Sequence, residues 1–229
     1  VMHSLTKYIG GHGTTIGGII IDGGNFDWAA NPKKQPLFNE PDPSYNGAIW
    51  GRDVPKMTGA NVAFAIRARV VLLRDLGAPL SPFNAFQIIQ GLETVAIRMK
   101  QHCANAEKVV KFLETQKKVK NVIYPTNHQG EIRDRAKRYM KGGYGSLVGM
   151  DLGSLEAGAK FIDNLKLLYH VANIGDARSL AIHPASTTHG QLNEKQLAEA
   201  GVTPGYVRLS IGIEHPDDII ADIKQALAA

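Results

Sequence analysis

Cysteine is nearly absent from this chain. Cys103 is the one thiol in 229 residues, so no disulfide can form within it, and a reducing compartment is the expected setting. Long apolar runs are missing too: nothing reads as a signal peptide or is long enough to span a bilayer. We therefore expect a cytoplasmic protein with no membrane partner. Charge of one sign never accumulates. The formal net charge is +5, but the densest basic stretch, Arg133 to Lys141, is interrupted by Asp134, Ala136, Tyr139 and Met140. It reads as a solvated helix face rather than a nucleic-acid contact. The usual cofactor and metal signatures fail on spacing. Gly11-His12-Gly13 starts a dinucleotide fingerprint, but Ile16 stands where the third glycine belongs. There is no Gly-Lys-Ser/Thr, no H-E-x-x-H and no C-x-x-C. His3 and His12 lack neighbouring ligands, so they are read as structural or supporting groups, and no metal site is expected.

What remains is ordinary globular material, 44% hydrophobic and 21% charged, enough for one large or two modest domains. Thr14 to Asp22 (TTIGGIIID) predicts a short buried strand. Gly23 to Lys56 reads as a long polar loop, although Trp28, Phe38, Tyr45 and Trp50 argue against plain disorder. Apolar spacing predicts a helix over Thr58–Leu76, stopped by Gly77. Ser81-Pro82 predicts the start of another, with Ser81 as cap and Pro82 in the first turn. Its ladder of Phe86, Ile89, Leu92, Ala96, Met99, Cys103, Ala106, Val110 and Leu113 would make a helix of about 34 residues, roughly 50 Å long. A bend is expected near Gly91, and Cys103 is placed in the core. Beyond it, strands are predicted at 122–124, 146–152, 167–174 and 206–213. Helices are predicted at 130–140, 155–165, 194–200 and 216–227. The chain is thus α/β, with helices beside a sheet.

The first segment, His3 to Gly18 (HSLTKYIGGHGTTIGG), holds one lysine among hydroxyls and glycines. A lysine in a restricted pocket can attack an aldehyde, neighbouring hydroxyls can bind a phosphate, and glycines let backbone approach a flat ring. An ordinary surface lysine in a turn has the same spelling. The late strand YVRLSIGIE alternates Val207, Leu209, Ile211 and Ile213 with Arg208 and Ser210. An arginine there needs an anion, and either a structural ion pair or a bound carboxylate would serve.

Ser4-Leu5-Thr6-Lys7-Tyr8-Ile9-Gly10-Gly11-His12-Gly13 resembles the cofactor-attachment segment of the Cys/Met-metabolism family of pyridoxal-phosphate (PLP) enzymes. Three further blocks match that family in order. They are Arg98 to Ala106 (RMKQHCANA), Ala172 to Asp176 (ANIGD) with His183 to His189 (HPASTTH), and Tyr206 to Glu214 (YVRLSIGIE). The resemblance spans nearly the whole chain. It implies a fold-type I PLP-dependent transferase, with residues 1–95 as the end of the large PLP-binding domain and 96–229 as a smaller α/β C-terminal domain. It implies that Lys7 carries pyridoxal 5'-phosphate, that Ser4 and Thr6 contact its phosphate, and that Arg208 grips the substrate α-carboxylate. Asn173, where many members have serine, and the long insertion from Asn25 to Lys56 are similar to the γ-replacing branch of the family. That branch exchanges the acetate of O-acetyl-L-homoserine for sulfide or methanethiol, giving homocysteine or methionine. Asn173 is accordingly a substrate-site residue. A PLP γ-lyase, a cystathionine γ-synthase and a non-catalytic interaction fragment are the alternatives. The chain opens on valine two residues before the motif, so we expect an N-terminal half of the same enzyme ahead of it. That half would supply the ring-stacking aromatic and the aspartate for the pyridine nitrogen. The resemblance also implies a homo-oligomer, a tetramer, with active sites shared between subunits.

Overall fold

A computed structural model describes residues 1–229, the side chain of Glu194 excepted. The chain divides into two compact units, residues 1–5 with 17–85, and residues 6–16 with 86–229.

In the first unit, β1 (Met2–Ser4) pairs antiparallel with β2 (Gly18–Ile20), His3 facing Ile19. The strand expected over 14–22 is shorter than predicted, and it is exposed rather than buried. A two-stranded ribbon has no third strand to cover it. The segment expected to be an open loop is instead organised around aromatic rings. It contains α1 (Pro36–Asn39), a 3₁₀ turn at Pro43–Tyr45, and α2 (Trp50–Thr58). Trp28 stacks on Phe38 with centroids 4.4 Å apart and on Phe64 at 5.4 Å. Tyr45 meets Trp50 edge-on at 4.9 Å. The Trp50 indole donates to Asp42 Oδ2 at 2.9 Å, which holds the Asp42 carboxyl below its ordinary pKa. Polar spelling concealed this cluster because its rings come from separate turns.

The next helix starts five residues later than expected. Thr58 closes α2, and Gly59, at φ 73°, turns the chain away. Then α3 (Ala63–Arg67) runs through a π-helical stretch, Ala68–Leu73, into α4 (Arg74–Leu76), ended by Gly77 at φ 70°. Asp22 Oδ2 accepts the free N–H of Ala65 in the first turn of α3, at 3.3 Å. Ser81 caps α5 (Pro82–Glu93), its Oγ accepting from Asn84 N at 3.1 Å. The single long helix of the sequence reading is two: α5, then α6 (Val95–Glu114), with Thr94 out of helical geometry between them. The reason is local. The Gly91 carbonyl accepts Thr94 N at 3.3 Å and the Arg98 guanidinium at 2.6 Å, so the ladder is interrupted there.

The second unit continues with β3 (Asn121–Ile123), α7 (Gly130–Tyr139), β4 (Leu147–Asp151), α8 (Leu155–Asp163), β5 (Tyr169–His170), β6 (Leu180–Ile182), α9 (Glu194–Glu199), β7 (Tyr206–Ser210) and α10 (Pro216–Ala228). The sheet order is β3-β4-β7-β6-β5, antiparallel except for β5 with β6. Strand β6 was not anticipated, because three buried residues carry no alternation. The strand expected over 167–174 shrinks to two residues. Val148, Met150, Val207 and Leu209 fill one face of the sheet and are fully buried. Against them pack Ala106, Val109 and Leu113 of α6, Phe161 of α8, and Ile219 and Ile223 of α10. Cys103 is buried, as expected. Ile213 is not: the chain has left the strand after Ser210, and Ile213 is 36% exposed. The basic stretch forms the exposed side of α7, where Arg135 pairs with Glu131 and Lys137 with Asp134.

The buried Asp222 of α10 ties this unit together. Its carboxylate accepts the backbone N–H groups of Lys166, Leu167 and Leu168 at 2.8–3.0 Å. Asp222→Ala leaves these donors without a partner and should cost about 3 kcal/mol. A urea unfolding curve checks this; a loss within experimental error would show that water or a rearranged turn replaces the carboxylate.

Candidate active site

The site is assembled within the second unit by three segments: the lysine loop of residues 6–16, the loop between β5 and β6, and β7. The lysine loop closes on itself, Gly11 N donating to Lys7 O at 2.8 Å, and Gly11 and Gly13 adopt positive φ. Its neighbours Lys7 and Tyr8 point to different partners. Tyr8 is the anchor: its hydroxyl lies 2.8 Å from Ser146 Oγ, and its ring meets the His102 ring edge-on at 5.5 Å. Burial pushes the Tyr8 phenol pKa up, so it remains neutral. Lys7 is half-buried, and its Nζ donates to Asn173 Oδ1 at 2.5 Å.

Asn173 lies in the loop after β5, and the next residues press that loop onto the lysine loop. Gly175, at φ 75°, donates its N–H to Ser210 Oγ at 3.0 Å. A Cβ on Gly175 would stand 2.7 Å from Tyr8 N and 2.8 Å from the Tyr8 ring, so only glycine permits this approach. Ala177 N donates to Gly11 O at 2.8 Å. Asp176, buried, pairs with Arg178 at 3.1 Å.

Arg208 completes the group. It points to the sheet face opposite the core, across from Gly149 in β4. Its Nη2 reaches the backbone oxygen of Asn173 at 3.4 Å. Asn173 therefore faces the lysine with its side chain and the arginine with its main chain. Among the described residues no carboxylate forms an ion pair with Lys7 or Arg208. Two cations next to a neutral amide leave charge available for an anionic ligand.

Of the residues named from sequence, Lys7, Asn173 and Arg208 thus converge. Thr6 is half-buried in the same loop, whereas Ser4 belongs to the first unit as the exposed end of β1. His3 and His12 are exposed. His183 is fully buried, with ring nitrogens 2.8 Å from Ser186 Oγ and 2.7 Å from Pro204 O, so the HPASTTH block is fastened from within. Tyr8, Ser146, Ser210 and His102 were missed as supports of the site. For Ser146, Ser210 and His102 the available signal was their polarity next to apolar residues, which states a need for partners without naming them, whereas Tyr8 is half-buried in a glycine-rich loop and gave no such signal.

The family model described as Cys/Met metabolism PLP-dependent enzyme matches residues 1–228. The chain is 52% identical over 233 residues to O-acetyl-L-homoserine sulfhydrylase of Leptospira meyeri, covering 99% of this chain and 52% of that protein. It is 46% identical to the homocysteine synthase of Schizosaccharomyces pombe, with 99% and 52% covered. A crystal structure named as an O-acetylhomoserine (thiol)-lyase from Campylobacter jejuni, containing a pyridoxyl-lysine monophosphate, superposes with TM-score 0.89 at 42% identity. It covers all of this chain and 53% of that one. The chain spans about half the length of the curated relatives it matches.

His102 gives the site a pH signature. Its Nδ1 lies 2.6 Å from Ile211 O, so that nitrogen carries the hydrogen. Burial lowers its pKa, with the charge of Arg98 adding to the effect. The folded imidazole stays neutral while the unfolded one takes a proton below about pH 6.5. The unfolded state then binds more protons, and stability falls as pH drops through that value. Melting temperature should decrease between about pH 7.5 and 5.5, and the decrease should be smaller in His102→Asn, whose amide can still donate to Ile211. Equal slopes in the two proteins would assign the pH dependence elsewhere.

Proposed function

The chain belongs to the Cys/Met metabolism PLP-dependent enzymes, and on that premise we propose that the whole protein exchanges the γ-acetate of O-acetyl-L-homoserine for sulfide or methanethiol, giving homocysteine or methionine. The observation that carries this reading is the meeting of Lys7 and Arg208 at Asn173, at 2.5 Å and 3.4 Å. The names of the relatives support the substrate.

The donor set fits a phosphorylated aldehyde. Lys7 offers a half-buried primary amine held by an amide oxygen, not by a carboxylate that would fix its charge. Lys7 would hold the cofactor through Nζ, and the hydroxyls of Ser4 and Thr6 would donate to its phosphate. When bound, pyridoxal phosphate supplies the electron sink that lets a proton leave Cα and the acetate leave Cγ. The work of the chain's own residues follows. Arg208 binds the substrate α-carboxylate through its planar fork. Asn173 Oδ1 orients the Lys7 amine. Lys7 takes the proton from Cα and then moves protons at Cβ, one mobile amine serving successive steps. In the same reading the enzyme is a cytoplasmic homo-oligomer, a tetramer. It works together with the N-terminal half that its longer relatives carry.

The test is a visible spectrum of the full-length protein, borohydride reduction and peptide mapping, followed by acetate release measured with and without sulfide. We expect an absorbance band in the near-violet, the pyridoxyl mass on Lys7, and acetate release that depends on sulfide. Lys7→Ala should lose the label and about a thousandfold or more in turnover. Arg208→Lys should raise KM for the amino acid about tenfold or more. Ammonia and 2-oxobutanoate formed without a thiol would convert the reading to a γ-lyase. Acceptance of cysteine in place of sulfide would convert it to a cystathionine γ-synthase. A wild-type protein that takes up no cofactor would overturn it.

A further inference from the structure

A polar stripe on α6 extends beyond the His102 support already described. Arg98, His102 and Asn105 follow one another at helical spacing, and all three are buried. Arg98 is 5% exposed, and among the described residues no carboxylate pairs with it. An uncompensated buried guanidinium is costly and must be met by hydrogen bonds. Its partners are specific. Nη1 donates to Tyr8 O at 2.8 Å, and Nη2 to Ile9 O at 3.2 Å and Gly91 O at 2.6 Å, while Nε reaches Thr94 Oγ1 at 3.2 Å. Two of these acceptors are the first and second carbonyls after Lys7. The fit leaves no slack. A Cβ on Gly11 would stand 2.1 Å from the guanidinium, and one on Gly91 would stand 2.1 Å from Gly10 O.

Further along the same face, His102 Nδ1 lies 2.6 Å from Ile211 O, and Asn105 Nδ2 donates to Gly212 O at 3.0 Å and Glu214 O at 2.8 Å. This is the backbone that leaves β7 just after Arg208. One helix face thus grips the segment that carries the amine and the segment that carries the carboxylate-binding fork.

We propose that Arg98 is a positioning residue for Lys7. Its guanidinium pins the Tyr8 and Ile9 carbonyls and so sets the Lys7 amine on Asn173, and α6 serves as the common mount of the lysine loop and the exit of β7. The proposal rests on Lys7 being the reactive amine of the preceding section. A lysine at position 98 would supply the charge but could not bridge three carbonyls in one plane, so the conservative exchange discriminates.

The experiment compares wild type, Arg98→Lys and Arg98→Gln in the full-length protein, with thermal melting to establish the folded fraction. In cofactor-free protein, reductive methylation with formaldehyde and cyanoborohydride is followed by peptide mass spectrometry. The rate at Lys7 is divided by that at the exposed Lys118 of the same sample. We expect this ratio to rise about threefold or more in Arg98→Lys, as the amine leaves its partner more often. In cofactor-loaded protein we expect kcat to fall about tenfold, with KM for the amino acid nearly unchanged because Arg208 is untouched. An unchanged methylation ratio and unchanged kcat per folded molecule, with only the melting temperature lowered, would overturn the proposal and leave Arg98 a purely structural group. If Arg98→Gln does not fold, Arg98→Lys decides. If the wild type takes up no cofactor, the functional reading fails on that result, and the methylation ratio still decides the role of Arg98.

Discussion

A lysine has four rotatable bonds, so its amine stays in one place only if its backbone and its partner are both fixed. In this protein that constraint is met by the residue next to it. Tyr8 puts its ring against His102 and its hydroxyl against Ser146, so the peptide that bears Lys7 is anchored in the core while its amine faces Asn173. Everything else in the site conforms to this. Gly175 has no side chain because Tyr8 occupies the space, and Gly11 has none because Arg98 does. The glycine-rich spelling of the segment reflects backbone packed against the Arg98 guanidinium and the Asp176 carboxylate, not a flexible loop.

The electrostatic design is equally economical. Lys7 and Arg208 are both cations, and in a structural role each would be expected beside a carboxylate. Instead they share one asparagine, whose amide oxygen and main-chain oxygen orient them without cancelling their charge. The acidic groups nearby are committed elsewhere. Asp176 faces Arg178, and Glu214 accepts from the backbone and hydroxyl of Ser179. A pair of cations kept free in this way suits a ligand that brings its own anions.

Elements whose pattern is local were legible in the sequence. The helices α7, α8, α9 and α10 stand within two residues of their expected ends, and the alternation of Val207 and Leu209 against Arg208 is the alternation of β7. Two misreadings had one cause, partners that come from a distance, and a third had a local one. The aromatic cluster of Trp28, Phe38 and Phe64 was hidden in polar sequence. Strand β6 is three residues long and is defined by β5 and β7 on its flanks. The break between α5 and α6 follows from a guanidinium that takes the Gly91 carbonyl, an event no apolar ladder records.

By itself the sequence determined the class of the chain and named the groups proposed to act in it. A lysine flanked by hydroxyls and glycines, an arginine on an apolar strand and an asparagine before Ile-Gly-Asp are chemical facts readable in one dimension. Only the tertiary structure decided that these three meet. Residues 7, 173 and 208 are brought together by packing: Tyr8 on His102, Gly175 on Tyr8, and Ile211 on the same helix face. Hydrogen bonds of about 3 Å between residues far apart in sequence are properties of the folded core, so spacing along the chain could not disclose them.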